Sequence, residues 1–167
     1  MVFETERLIY EKLKLEDLDS IMPIWGDAEV MKYCGGAGTR ERELRALQYY
    51  IHMQQEKGFS PYKVIVKESG KTIGVCGFNP PARGYDTELM YHLLKSAWGK
   101  GYATEAAKGC IDFAKRELNI EKIGASVDLN NPASQKVLIK VGFQFVGMKW
   151  CEETKQDEYY YELILRN

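Results

Sequence analysis

Apolar residues recur with two periods along this chain, alternating over several short stretches and following a helical spacing over four others. Residues 2–10 read as a first strand. Leu15, Leu18, Ile21, Met22 and Trp25 then fall on one stripe, the pattern of a helix over 15–25 with one buried face. The run Gly35-Gly36-Ala37-Gly38 interrupts the pattern, and Thr39 stands where an N-cap belongs, opening a helix to about residue 57. Its charged start (Arg40, Glu41, Arg42, Glu43) reads as a solvated face, and its stripe of Leu44, Leu47, Tyr50 and Ile51 as packing.

Three β-rich runs follow, at 62–67, 72–78 and 87–94. The short turn at 68–71 predicts an antiparallel hairpin for the first two, and 79–84 reads as a loop. A helix over 101–118 presents a small-residue stripe, Ala103, Ala106, Ala107, Cys110 and Ala114, suited to close approach to a sheet, with Ile111 and Phe113 adding bulk. A strand at 123–129 leads to a helix at 132–141, with Pro132 in the first helical position and Gly142 at the stop. Strands at 144–151 and 158–165 close the order β-α-α-β-β-β-α-β-α-β-β. That order predicts an α/β (α+β) chain with a mixed sheet and helices on its faces. No repeat, low-complexity tract or linker interrupts it, so residues 1–167 read as one domain.

Composition narrows the function. A net charge of -1 over 167 residues leaves no global basic field, which argues against a dedicated nucleic-acid or anionic-membrane binder. No apolar run approaches the ~18 residues that a membrane span needs. The N-terminus is charged within four residues and shows no apolar signal core, so a cytoplasmic location is expected. Cys34, Cys76, Cys110 and Cys151 are scattered without a C-x-x-C pair and read as reduced structural thiols. Neither His52 nor His92 has a second His or Cys at ligand spacing, so no metal is expected.

The chemistry concentrates at Trp98-Gly99-Lys100-Gly101-Tyr102-Ala103. A strand feeds a glycine turn that opens directly into a helix, so consecutive N–H groups point into one small volume at the positive end of the helix dipole. Strand, tight turn and helix start together make a phosphate cradle. The dinucleotide fingerprint fits poorly, because the third glycine is replaced by Thr104 and consecutive βαβ units are missing. The P-loop fails because Lys100 precedes Gly101 and not Ser or Thr.

The string Trp98-Gly99-Lys100-Gly101-Tyr102-Ala103-Thr104-Glu105-Ala106 resembles the acetyl-CoA pyrophosphate loop of the GNAT acyltransferases, Gln/Arg-x-x-Gly-x-Gly/Ala. Gly101 and Ala103 take its two small positions. Trp98 stands where Gln or Arg is usual, a departure typical of the RimJ/RimL-like branch. Thr5-Glu6-Arg7-Leu8, Glu88-Leu89-Met90-Tyr91, Asn131-Pro132-Ala133-Ser134 and Lys140-Val141-Gly142-Phe143 resemble further segments of that branch, in the expected order.

The resemblance implies a mostly antiparallel sheet, splayed at the acetyl-CoA strand by a bulge on the strand before the loop. It implies an N-acetyltransferase with acetyl-CoA as co-substrate and no metal, acting as a monomer or homodimer. An amine attacks acetyl-CoA directly in a ternary complex, with no covalent enzyme intermediate. The pyrophosphate falls to the amides of Gly99, Lys100, Gly101, Tyr102, Ala103 and Thr104. The pantetheine arm falls to the main chain of Leu93 and Leu94, where an N–H also polarises the thioester carbonyl, and to the Asn131 side chain. Asn131 also suits a strand-exit turn and helix cap. Ser134 matches the group that protonates the leaving thiolate, and equally suits a helix cap.

Alternation over 87–94 puts Glu88, Met90 and His92 on one face and Leu89, Tyr91 and Leu93 on the other. The resemblance implies Glu88 as the general base, directly or through water, with His92 on the same face or a water relay with no single residue as alternatives. The acceptor pocket is expected between the first two helices, the 79–84 loop and the last hairpin, with Trp25, Tyr33, Tyr49, Tyr50, Trp150, Tyr159, Tyr160 and Tyr161 as core or wall. Glu152, Glu153, Asp157 and Glu158 either attract a cationic amine or form a solvated hairpin tip. Branch acceptors include protein N-terminal amines, polyamines and aminoglycosides, and the resemblance leans to a protein or peptide α-amine. The alternative of another class is a non-catalytic acetyl-CoA-binding sensor or interaction module.

Overall fold

The computed structural model describes residues 1–166. The expected first strand is two: β1 (Phe3–Glu4) and β2 (Leu8–Lys12) pair antiparallel, with Thr5 N donating to Leu8 O at 2.9 Å. Apolar patterning runs through this tight turn without registering it. The 15–25 stretch likewise divides into a 3-10 turn (Leu15–Asp17) and α1 (Leu18–Trp25). α2 (Arg40–Lys57) starts at Thr39, whose hydroxyl accepts from Arg42 N at 3.2 Å.

β3 (Pro61–Val66), β4 (Thr72–Asn79) and β5 (Thr87–Leu93) form the expected meander. α3 (Tyr102–Glu117), β6 (Lys122–Val127), α4 (Pro132–Lys140), β7 (Gln144–Cys151) and β8 (Gln156–Ile164) follow. One eight-stranded sheet results, in the order β1-β2-β3-β4-β5-β6-β8-β7. Every neighbouring pair is antiparallel except β5 and β6, which the α3 crossover joins in parallel.

Apolar side chains pack on both faces of the sheet. On one, Ala106, Ala107, Cys110 and Ala114 of α3 lie against Tyr62, Phe78 and Leu89, together with Leu138 of α4. Gly109 lets α3 sit close, because a Cβ there would collide with the Tyr10 hydroxyl. On the other, α1 and Leu47 of α2 cover Val75 and Met90. The expected alternation of β5 therefore holds, with Met90 on the α1/α2 side and Leu89 and Leu93 on the α3 side.

The sheet opens at its centre. β5 and β6 pair only at Thr87↔Ile123 and Glu88↔Gly124, after which the strands part. The expected bulge is not what parts them: β4 and β5 keep one register from Asn79↔Glu88 to Gly74↔Leu93. β5 stays bonded to β4, and the crossover brings β6 back against only its first two residues.

Candidate functional site

A cleft of about 1190 Å³ occupies the gap between β5 and β6. The glycine loop and the start of α4 line one end; α1, α2 and the 79–84 loop line the other.

At the loop, Gly99 and Gly101 adopt φ of +75° and +80°, a left-handed conformation that costs an L side chain about 1–2 kcal/mol. No atom lies within 4 Å of a Cβ built on Gly99. The first amide of α3 to reach a carbonyl is Glu105 N, bonded to Gly101 O at 3.1 Å. The N–H groups of Tyr102, Ala103 and Thr104 are thus left for an acceptor from outside the chain, at the positive end of a 16-residue helix. Such an arrangement suits a phosphate group.

The Thr5-to-Leu8 turn braces this loop. Glu105 accepts from Thr5 Oγ1 at 2.6 Å, from Arg7 N at 2.8 Å and from Arg7 Nε at 2.6 Å. These donors hold the Glu105 carboxyl below its ordinary range against the opposing effect of burial, which is the largest single influence on it. Arg7 also donates to Lys100 O at 2.9 Å and lies 4.3 Å from the Tyr102 ring centroid. Trp98 ties the loop to the strand end, its Nε1 donating to Leu93 O at 3.1 Å.

The main chain of β5 beside the gap differs from expectation at one residue. Leu94 N donates to Ile73 O at 2.7 Å, and Leu94 O accepts from Ala97 N at 2.9 Å. Its N–H is committed to β4 and its carbonyl to the 3-10 turn Lys95–Ala97, so Leu94 has no N–H to offer a ligand. Alternation along the strand turns the N–H groups of Leu93 and Tyr91 the other way, toward the gap.

Across the gap, Asn131 caps α4, its Oδ1 accepting from Ser134 N at 3.3 Å, and both residues line the cleft. Ser134 Oγ lies 2.6 Å from the Tyr91 hydroxyl, which also reaches Ser134 O at 3.1 Å. Burial pushes the Tyr91 phenol well above its usual range and so keeps it protonated.

Glu88 sits where the strands part. Its Oε2 accepts from Arg83 Nη1 at 2.5 Å and from the Tyr160 hydroxyl at 2.6 Å. Gly124, the strand partner of Glu88, makes room for this: a Cβ on it would stand 2.8 Å from Tyr160 Cζ. Arg83, held at φ +52°, also donates to Trp150 O through Nε and Nη2, at 3.1 and 2.7 Å. It thereby ties the 79–84 loop to the last hairpin.

His92 lies on the same face, but its Nδ1 accepts from Trp25 Nε1 at 3.2 Å. Desolvation lowers its pKa to about 4. At neutral pH the ring is uncharged, and its one lone pair is taken.

Two charge readings need correction. Glu43, expected on a solvated face, is buried at 6% exposure and lines the cleft. Of the four hairpin acids, Glu158 is buried, accepting from Ser126, Thr154 and Gln156, whereas Glu152, Glu153 and Asp157 are exposed. The thiols of Cys110 and Cys151 are pushed up by burial, which disfavours a reactive thiolate. Among the described residues no group of three or more His, Cys, Asp or Glu could hold a metal ion, and no helix is long and apolar enough to cross a membrane.

Sequence reasoning assigned Arg83 and Tyr91 no individual role, named Tyr160 only as core or pocket wall, and put Glu43 on a solvated face. Tyr91 lies inside the Glu88-Leu89-Met90-Tyr91 string, but its partner Ser134 and the Tyr160–Glu88 contact are distant in sequence, while the Arg83–Glu88 contact spans a loop with no periodic pattern.

A family profile described as "Acetyltransferase (GNAT) domain" matches residues 7–144. An uncharacterized N-acetyltransferase, p20, of Bacillus licheniformis is 35% identical over 149 residues, covering 86% of this chain and 83% of its own. A GNAT-family acetyltransferase structure from Bacillus anthracis superposes with a TM-score of 0.83 at 24% identity, over 97% of each chain. RimL, a ribosomal L7/L12 α-N-protein acetyltransferase solved in complex with coenzyme A, superposes with a TM-score of 0.78 at 14% identity, over 98% of this chain and 97% of its own.

Proposed function

The chain belongs to the GNAT acetyltransferase family, and on that premise we propose that it moves the acetyl group of acetyl-CoA to a primary amine by direct attack in a ternary complex. The observation that carries this reading is the gap between β5 and β6, where free amides at one end and a carboxylate and a hydroxyl pair along the walls meet in one cleft. The residues present fit the co-substrate. The Tyr102, Ala103 and Thr104 amides suit its pyrophosphate, beside Gly99 and Lys100, with Gly101 shaping the turn. The outward N–H groups of Leu93 and Tyr91 and the Asn131 side chain suit its amide-bearing arm. Acetyl-CoA supplies an activated acyl group, and the chain supplies orientation and proton transfer.

Glu88 is the favoured base, directly or through water. One of its oxygens is anchored by Arg83 and Tyr160, which fixes the carboxylate while the other oxygen has no partner among the described residues. His92 is disfavoured, because its lone pair is bound to Trp25. Ser134 Oγ hands a proton to the departing thiolate and regains one from solvent in the open cleft, while the Tyr91 hydroxyl, 2.6 Å away, orients it. The capping role of Asn131 places Ser134, so the cap and acid roles coexist.

The test is thiol release from acetyl-CoA across a panel of amines, run beside direct acetyl-CoA binding. The expected result is amine-dependent release, with kcat lowered about 10²–10⁴-fold by Glu88→Gln. Tight binding without acetylation of any amine would establish instead a non-catalytic acetyl-CoA-binding module.

A further inference from the structure

We propose that the α1/α2 end of the cleft binds a second cationic centre of the acceptor through Glu43, which makes linear diamines and polyamines the preferred acceptor class. This inference rests on the acetyltransferase reading above.

The cleft contains several carboxylates, and among the described residues all but one accept a hydrogen bond. Glu88 has Arg83 and Tyr160, Glu158 has Ser126, Thr154 and Gln156, and Asp128 has Asn130 N and Gln156. Glu29 pairs with Lys95, and Glu153 accepts from Cys151 Sγ at 3.1 Å. Among the described residues of the cleft, Glu43 is the buried carboxylate that receives no hydrogen bond, and its oxygens are not sealed off but open to the cleft. Its one cationic neighbour is Arg42, with Nε at 3.5 Å and its side chain 53% exposed. A buried carboxylate is costly unless a donor or counter-charge meets it. The first turn of α2 favours negative charge through its dipole, but that does not supply the missing donor. The fold nevertheless makes room for the group: the Glu43 carboxyl occupies the space a Cβ on Gly38 would need.

The surroundings specify what arrives. Trp25, Tyr49 and Tyr50 line the cleft with Glu43, their ring centroids 6.0 Å apart for Trp25–Tyr50 and 5.7 Å for Tyr49–Tyr50. Aromatic faces suit an ammonium group and the methylenes beside it. Glu43 and Tyr50 are seven residues apart on one helical face, about 10 Å of axial rise. The Tyr50 hydroxyl donates to Asn79 Oδ1 at 3.1 Å, and Asn79 is the strand partner of Glu88. A path therefore runs from Glu43 along α2 and across one strand to the proposed base. An extended acceptor with an amine at each end follows it. A peptide follows it poorly, because beyond its first turn α2 bonds its amides and carbonyls within the helix and offers a second main chain little.

The experiment compares kcat/KM for 1,8-diaminooctane, spermidine, octylamine and alanyl-lysine amide, in the native chain and in Glu43→Gln. Calorimetric titration of 1,8-diaminooctane into the CoA-saturated protein runs alongside, with thermal melts to verify folding. The expected result is a preference of about tenfold or more for the diamine over octylamine, falling to near parity in Glu43→Gln, with diamine binding weakened in step. Equal use of diamine and octylamine by the native chain overturns the inference and leaves the transferase reading standing. So does a preference that survives Glu43→Gln. Preference for alanyl-lysine amide overturns the acceptor class in favour of a basic peptide. Glu43-dependent diamine binding without acetylation upholds the inference and overturns the transferase reading. Absence of both binding and turnover overturns the two together.

Discussion

Glu43 carries a signature that is separate from catalysis. Burial raises its pKa above the ordinary carboxylate value, with Arg42 opposing. A group whose folded pKa lies above its unfolded one contributes stability below the unfolded pKa and loses it as pH rises through the folded pKa. At neutral pH the charged Glu43 is therefore a liability, so Glu43→Gln raises Tm at pH 7. The gain shrinks as pH falls into the carboxylate range, and melts at about pH 7 and pH 4 measure it. A Tm unchanged or lowered at pH 7 contradicts a net cost of burying this carboxylate beside Arg42. The sequence could not show this. Glu43 follows Arg40, Glu41 and Arg42, and a charged first turn reads as solvated until Gly38 and the cleft wall are seen around it. Glu88 and Ser134 were legible because they sit in local strings. Their partners were not, since the Tyr160 and Tyr91 contacts depend on how the strands are ordered and the Arg83 contact on the path of an irregular loop.

At the scale of elements, small residues let strands and helices approach where the site needs them. Gly124 pairs with Glu88 and leaves its outer face to the buried Tyr160 ring. Gly124→Ala forces that ring away, with a stability loss of about 1–3 kcal/mol from overpacking. It also lowers kcat, because the Tyr160 bond to Glu88 is lost. Denaturant unfolding and steady-state kinetics check both, and a variant with native stability and native kcat contradicts this role. Element boundaries from β3 onward shifted by no more than two residues from their sequence positions, because periodicity and the Thr39, Pro132 and Gly142 signals are local. The early hairpin was missed because Leu8 and Tyr10 keep the alternating phase of Val2 across the turn. What the turn does is visible only in space, where Thr5 and Arg7 grip Glu105 nearly a hundred residues away.

At the scale of the whole molecule, one departure from regular pairing organises everything else. A mixed sheet with helices on both faces was expected from the order of elements, and the parting at one strand from the resemblance. Its cause differs, since β4 and β5 hold their register throughout and β6 simply touches two residues of β5. The same parting turns the main chain of Leu93 and Tyr91 toward open space, where Leu93 and Leu94 had been expected to serve. The most direct measurement is a ¹⁵N-resolved NMR titration of the protein with coenzyme A. The account predicts the largest amide shifts at Gly99, Lys100, Gly101, Tyr102, Ala103 and Thr104, with a second group at Tyr91 and Leu93 and little change at Leu94. Unchanged loop amides in a protein that binds coenzyme A, with shifts gathered elsewhere, would contradict it.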